Sequence, residues 1–162
     1  MVTAKCVREF FGYNPITGIL FRTKTINSRA QTGTIINTRD KKGYIIVGFA
    51  NKRYKAHRII WLLVTGCWPK DHIDHINGDK SDNRWLNLRE ATNSQNHYNM
   101  GPTKLNRSGL KGVGKHADGK WRAYIKGNGK LIHLGLFDSP EVAHEAYRVA
   151  ARKFHGKFAR FA

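Results

Sequence analysis

The chain has 162 residues, of which 29 are Lys or Arg and 11 are Asp or Glu, giving a formal charge of +18 with its eight histidines neutral. A length of this order allows one domain or two small ones, and so high a charge disfavours a cationic partner and favours a polyanion, either nucleic acid or an anionic membrane surface. Only Cys6 and Cys67 are present, which excludes a cysteine-rich zinc finger and a disulfide scaffold.

Apolar residues make up 40% of the chain and Trp, Tyr and Phe 11%, enough for a packed core. The longest apolar run, Ile59 to Val64, is far too short to cross a bilayer. The opening MVTAKCVREFFGY holds no apolar signal-peptide core. A soluble, cytoplasmic protein that is neither secreted nor membrane-bound is expected. Residues 1–100 and residues 101–162 each carry a net +9. Both parts also carry periodic apolar residues, which predicts two folded units that each meet nucleic acid, in place of one domain with a basic arm.

From Gly18 to Tyr54 the pattern predicts short strands. Ile19-Leu20-Phe21 and Tyr44-Ile45-Ile46-Val47 are β-branched and aromatic runs bounded by glycine, and Thr34–Asn37 is a further candidate within a polar stretch. A helix is predicted over Ala56–Thr65, ended by Gly66 and Pro69. Trp61, Trp68 and Trp85 read as core or loop anchors. In the segment HIDHINGDKSDNRWLNLREATNSQN (residues 72–96), Asn77-Gly78 marks a turn. Thr92 and Gln95 form a capping box that should start a short helix bearing Asn96. Strand, turn, strand and helix in that order can bring Asp74, His75, Asn87 and Asn96 around one point.

Those side chains suit phosphodiester hydrolysis. A neutral imidazole is the natural base for activating water near neutral pH. One carboxylate and one amide carbonyl suit a hard cation that leaves most of its positions to water and phosphate oxygens. The run Asp74-His75-x-Asn77-Gly78-Asp79, with Asn83-x-x-x-Asn87-Leu88-Arg89 and Asn96, resembles the HNH nuclease family in its homing-endonuclease branch, over roughly residues 12–99. The resemblance implies a ββα-metal fold with His75 as general base. It implies that Asp74 and Asn96 hold one Mg²⁺ (or Mn²⁺) per active site, and that Asn87 holds the His75 loop and orients the imidazole. Asn83 is expected to fix the loop and His57 to support the site from beside it. For His72 and His97 a contact to phosphate or substrate is expected ahead of metal binding.

The stretch Met100–Ser108 has no apolar period and is predicted to be a linker (100–108) between a domain over 1–99 and another over 109–162. Two alternating runs, Lys120–Lys126 and Lys130–Gly135, flank Gly127-Asn128-Gly129 and predict a hairpin. Ser139 is a good helix cap and Pro140 suits the first helical position. The spacing of Val142, Ala143, Ala146, Tyr147, Ala150, Ala151 and Phe154 predicts a helix with an alanine-rich apolar face. Alternation places Trp121, Ala123 and Ile125 on one sheet face and Arg122, Tyr124 and Lys126 on the other, joined there by His133 from the next strand.

This segment, through Ser108-Gly109-x-Lys111-Gly112-Val113, Trp121-x-Ala123-x-Ile125, His133-Leu134-Gly135-x-Phe137 and Phe154-x-Gly156, is similar to the plant-type APETALA/ethylene-response-factor DNA-binding domain. That family lays a three-stranded antiparallel sheet in the DNA major groove with a helix behind it. Lys111, Lys115, His116, Lys120, Arg122, Tyr124, Lys126 and His133 become candidate DNA contacts. Gly114 and His133 stand where the plant domains carry groove-reading side chains, so duplex binding is expected without a particular target sequence.

The expectation is therefore an α+β protein. Its N-terminal part has small strands plus a ββα-metal unit, and its C-terminal part a three-stranded antiparallel sheet packed on one helix. It is expected to act as a monomeric, metal-dependent homing-type endonuclease that nicks double-stranded DNA. The rival readings are a DNA-binding regulator without activity and, less well supported for want of paired stacking aromatics on the sheet, an RNA-binding protein.

Overall fold

In the computed structural model, which describes residues 2–103 and 105–161, short helices alternate with small antiparallel sheets, an α+β arrangement. Contacts divide the chain into two compact units, Met1–Asn93 and Ser94–Ala162. Among the described residues, no helix is long and apolar enough to cross a membrane.

In the first unit, the Thr3 hydroxyl accepts from the Cys6 N–H (3.3 Å) and starts helix α1 (Ala4–Phe10). Strands β1 (Phe11–Tyr13) and β2 (Leu20–Arg22) pair antiparallel across a turn in which Asn14 Oδ1 accepts from the N–H groups of Ile16 and Thr17. A second hairpin joins β3 (Ile46–Phe49) to β4 (Lys52–Lys55) and runs directly into α2 (Ala56–Thr65), which ends at Gly66 as its sequence predicts. Ala56, Ile59, Ile60 and Leu62 give α2 one fully buried face, packed with Val7, Phe11 and Leu20. Burying each of the larger side chains contributes about 1.5–3 kcal/mol. Trp61, Trp68 and Trp85 are partly buried against this core, and Trp68 Nε1 donates to the Val2 carbonyl (2.9 Å).

Strand β5 (His72–His75) pairs antiparallel with β6 (Leu88–Ala91), which a short turn of 3-10 helix at Trp85–Asn87 precedes. Ile73 and Leu88 anchor this pair to the core. Helix α3 (Asn93–Tyr98) begins immediately after Thr92 and carries Asn96. The candidate strand at Thr34–Asn37 is instead a single bridge, Phe21 to Ile35. That polar stretch has no alternating face to bury and therefore no reason to extend the ladder.

In the second unit, β7 (Val113–Lys115), β8 (Trp121–Gly127) and β9 (Lys130–Phe137) form one antiparallel sheet in that order. Asn128 (φ 50°) and Gly129 (φ 79°) both lie in the left-handed region, which a two-residue type I′ hairpin turn requires. Helix α4 (Pro140–His155) is capped by the Ser139 side chain, which accepts from the Val142 N–H (3.3 Å). Ala143, Ala150 and Ala151 let the helix lie close on Val113, Ala123 and Ile125 of the sheet. Between the pairs Ala123–Gly135 and Tyr124–His133 the register slips by a β-bulge at Leu134. The bulge keeps both Leu134 and Phe137 against the helix-facing core. The stretch 100–108 belongs to this unit, where Asn106 Nδ2 donates to the Leu110 carbonyl (2.8 Å) and Ser108 Oγ to that of Val113 (3.0 Å).

Candidate active site

Strands β5 and β6 place Asp74 and Arg89 directly opposite one another in register. Arg89 donates from both Nε and Nη2 to Asp74 Oδ2, each at 2.8 Å, and both side chains are largely withdrawn from water. Both charge-assisted bonds converge on that one oxygen and hold it in place. The sequence pattern contains Arg89 but assigns it no role. Its signal was available only once the strand register was known, because fifteen residues of chain separate it from Asp74.

His75 is the last residue of β5 and is 4% exposed. Its Nε2 lies 3.1 Å from Asn83 Oδ1. Oδ1 is an acceptor, so Nε2 carries the proton, and the neutral ring then has its lone pair on Nδ1. Burial lowers the His75 pKa below its ordinary value, opposed by the Asn83 bond and by the charges of Asp74, Asp79 and Asp82. The His57 ring stands edge-on to it, with centroids 5.0 Å apart. Burial, reinforced by His75, Lys55 and Arg58, pushes His57 down to about 2, so this second imidazole is a neutral packing partner.

Between His75 and Asn87 the chain is knotted by polar side chains. Asn87 Nδ2 donates to the Asp82 carbonyl (2.7 Å) and to Asn77 Oδ1 (3.0 Å), and Asn87 Oδ1 accepts from the Asn77 N–H (2.9 Å). Arg84 and Asn77 donate to the Asp82 carboxylate and hold it down to about 2, with the Arg84 bonds the larger cause. Asn87 thus ties the two ends of this loop together. Orientation of the imidazole, expected of Asn87, corresponds in the structure to the bond with Asn83. Asn83 is itself anchored from outside the motif: Tyr13 Oη donates to its carbonyl (2.8 Å).

The structure thus brings Asp74, His75, Asn83 and Asn87 together on one strand pair and its loop. Asn96 is half-buried on α3 and belongs to the second unit. His72 is exposed beside Asp71 (3.7 Å), and His97 is exposed near the end of α3. Among the described residues, no group of three or more His, Cys, Asp or Glu side chains could cage a metal ion. Asp74 is a single hard carboxylate, a donor type that suits a Mg²⁺-like ion better than the thiolates and imidazoles of a zinc site do.

On the sheet of the second unit, Arg122, Tyr124 and Lys126 share the face turned away from α4, with His133 directly across from Tyr124. The Arg122 guanidinium lies over the Tyr124 ring, 5.6 Å from its centroid. Leu136 and Leu131, opposite Arg122 and Lys126, are 41% and 71% exposed and add an apolar element that the sequence reading did not include. Four candidates lie elsewhere. Lys111 turns inward and donates to the Tyr98 carbonyl, and burial together with Arg160 pushes its pKa down to about 8. Lys115 stands opposite Trp121 and so shares the helix-facing side of the sheet. His116 pairs with Asp118 (2.7 Å) and Lys120 with Asp138 (3.7 Å), both beyond the strand ends.

The strand–turn–strand scaffold thus presents a buried imidazole of depressed basicity, an arginine-held carboxylate beside it and an asparagine-laced loop. Residues 54–98 match the HNH endonuclease family. The chain is 38% identical over 113 residues to Protein 3.8 of Escherichia phage T7, covering 67% of this chain and 93% of that protein. It is 33% identical over 121 residues to a protein of Acanthamoeba polyphaga mimivirus described as an uncharacterized HNH endonuclease, covering 74% of this chain and 62% of that one. No solved structure shows significant similarity. Residues 54–98 thus carry an HNH endonuclease domain, of a family whose members are nucleases acting on DNA. Such nucleases generally depend on a metal ion. The family match ends before the C-terminal sheet, so nothing in these comparisons supports the expected APETALA/ethylene-response-factor domain.

Proposed function

We propose that the chain is a homing-type endonuclease that hydrolyses phosphodiester bonds in duplex DNA and cuts one strand per encounter. In this reading residues 1–99 carry the chemistry, residues 109–162 hold the duplex, and 100–108 join them. The observation that supports it most is His75: buried, kept neutral by burial, and tied through Nε2 to Asn83. With that proton committed to Asn83, Nδ1 takes the proton from a water molecule as the water attacks phosphorus in line. Asn87 keeps the loop that carries Asn83 closed, and Arg89 holds one oxygen of the Asp74 carboxylate in place. Asp74 and Asn96 would hold one Mg²⁺ or Mn²⁺, which when bound supplies charge stabilisation at the departing 3′ oxygen. One base and one such site act on one strand, which is why a nick is the expected product of a monomer.

The C-terminal sheet supports the second half of the proposal. Arg122, Lys126, Tyr124 and His133 form a cationic and aromatic strip along one face, with Leu131 and Leu136 available for thymine methyl groups. This face would enter the major groove and restrict where the nuclease unit works.

The test is incubation of supercoiled plasmid with the protein and Mg²⁺ or Mn²⁺, beside a His75→Ala control. Open-circular product from the wild type, with a rate about 10²–10⁴-fold lower for the variant, is the expected result. Plasmid that stays supercoiled across metals and pH would instead leave a DNA-binding regulator without activity. Equal cutting by the alanine variant would remove His75 from the chemistry.

A further inference from the structure

Beside His75 the first unit gathers positive charge that its own acidic residues do not neutralise. The Tyr44 ring packs on both histidines, with centroid separations of 5.4 Å to His57 and 6.0 Å to His75. Two ammonium groups from distant parts of the chain sit over that same ring: Lys55 Nζ at 3.7 Å and Lys80 Nζ at 5.1 Å from its centroid. They are therefore no farther apart than the sum of those distances. Lys80 Nζ is held in place by donation to the Lys42 carbonyl (3.1 Å). Among the described residues, neither Lys55 nor Lys80 forms an ion pair.

The backbone adds to the imbalance. Lys55 occupies the N-cap of α2, makes no side-chain capping bond, and no acidic residue follows in the first turn, where Arg58 lies instead. Helix N-termini favour negative charge, so a lysine there works against the dipole unless an anion arrives. Asp40 is the acidic group whose field reaches Lys55, and its Oδ1 accepts from the backbone N–H groups of Lys42 and Tyr44. Lys42, Lys80 and Arg58 act on Lys55 in the opposite sense. Packing of lysine stems on an aromatic ring explains one such contact. It does not explain two ammonium groups converging on one ring at a helix start.

We propose that Lys55 and Lys80, stacked on Tyr44 at the start of α2, form a clamp for one backbone phosphate of the DNA strand on which His75 acts. The proposal rests on the nuclease reading and adds to it the residues that hold the reacting strand. The clamp sets the backbone against the imbedded imbalance of charge beside His75, so that the phosphorus is presented to the activated water. Lys55 and Lys80 are positioning residues: they touch the phosphodiester backbone and exchange no proton with it.

The experiment uses the full chain in a His75→Ala background, so that binding is read without cleavage. Affinity for a short fluorescent duplex is measured as a function of salt with Lys55 and Lys80 intact, with Lys55→Gln and Lys80→Gln singly and together, and with Lys80→Arg. Loss of one phosphate contact should make the slope of log affinity against log salt shallower by about 0.9 in the double variant, and Lys80→Arg should restore most of it. Where active protein has first revealed a cut position, a methylphosphonate replaces the phosphate there or at its neighbours in turn. One such replacement should weaken binding several-fold with both lysines present and leave the double variant unaffected. An unchanged slope, or equal methylphosphonate sensitivity in both proteins, overturns the clamp even if plasmid cutting depends on His75. Absence of cutting by the wild type overturns the nuclease reading and leaves the salt measurement to decide the clamp alone. Unchanged thermal unfolding of the Gln variants is the expected control result. A large drop assigns the lysines a structural role and counts against the clamp.

Discussion

At the scale of single residues, the site separates two tasks that asparagine can perform. Asn87 spends its amide on the backbone and side chains of the loop, while Asn83 meets the imidazole. Replacing Asn83 by Leu removes the acceptor for Nε2–H and frees the ring to change tautomer. The rate at saturating DNA should then fall by about 10²-fold with little change in DNA affinity, and Asn83→Asp, which keeps an accepting oxygen, should retain more of the rate. Steady-state kinetics with binding measured in parallel checks this. His57 gives a stability prediction. Its pKa falls from 6.5 in the unfolded chain to about 2 in the fold. Below pH 6.5 the unfolded state therefore binds the extra proton, and the stabilisation, fully present above that pH, is lost as the pH falls. Its buried Nδ1 has no hydrogen-bond partner, so a Phe ring costs no bond at that atom. Urea unfolding should show the wild type losing roughly 2 kcal/mol relative to His57→Phe between pH 6.5 and 5. His75 shifts in the same direction in both proteins and cancels from the difference.

At the scale of elements, the loop between β5 and β6 is braced by contacts from a turn 65 to 70 residues earlier in the sequence. Trp85 N–H donates to the Pro15 carbonyl (3.1 Å), and Gly18 lies so close that a Cβ there would stand 2.6 Å from the Arg84 nitrogen and 2.8 Å from the Asn83 carbonyl carbon. Gly18 also has φ +76°, a conformation that costs other residues about 1–2 kcal/mol. Gly18→Ala should thus lower both thermal stability and cleavage rate by pushing Asn83 off the imidazole. Gly33→Ala is the matched control: its φ is +83° but nothing lies within 4 Å, so it should cost stability alone. None of this bracing could be read in the sequence, because the contact between Gly18 and Asn83 depends on how two loops meet. The elements that were legible are those with a period and a stop: α2 with its apolar face and Gly66, the β8–β9 hairpin with Asn128-Gly129, and α4 behind Ser139. Helix α1 and strands β1 and β4 carry no such signal. They are three to seven residues long, and β4 reads Lys-Arg-Tyr-Lys. Within the motif, the segment 72–96 announced its strand–turn–strand–helix order, whereas the Asp74–Arg89 pair needed the register of β5 on β6 to become visible.

At the scale of the whole molecule, a net +18 split evenly along the chain has its consequence in how binding responds to salt. If the charged face of the sheet and the basic surface of the nuclease unit together engage about 6–10 phosphates, affinity should fall about 10³–10⁵-fold between 50 and 200 mM salt. Lys126 tests which part of that response belongs to the sheet. It is exposed on the face away from α4, opposite an exposed Leu131, and in a unit separate from His75 and Asp74. Lys126→Glu removes one cation and places a carboxylate against the phosphates, so Kd should rise by an order of magnitude or more at low salt and the salt slope should become shallower. The single-turnover rate at saturating DNA should stay near that of the wild type, since no group that touches the proton or the phosphorus has changed. A large fall in that rate would mean that the sheet face takes part in presenting the cut strand, and the proposed division of labour between the two units would have to be abandoned.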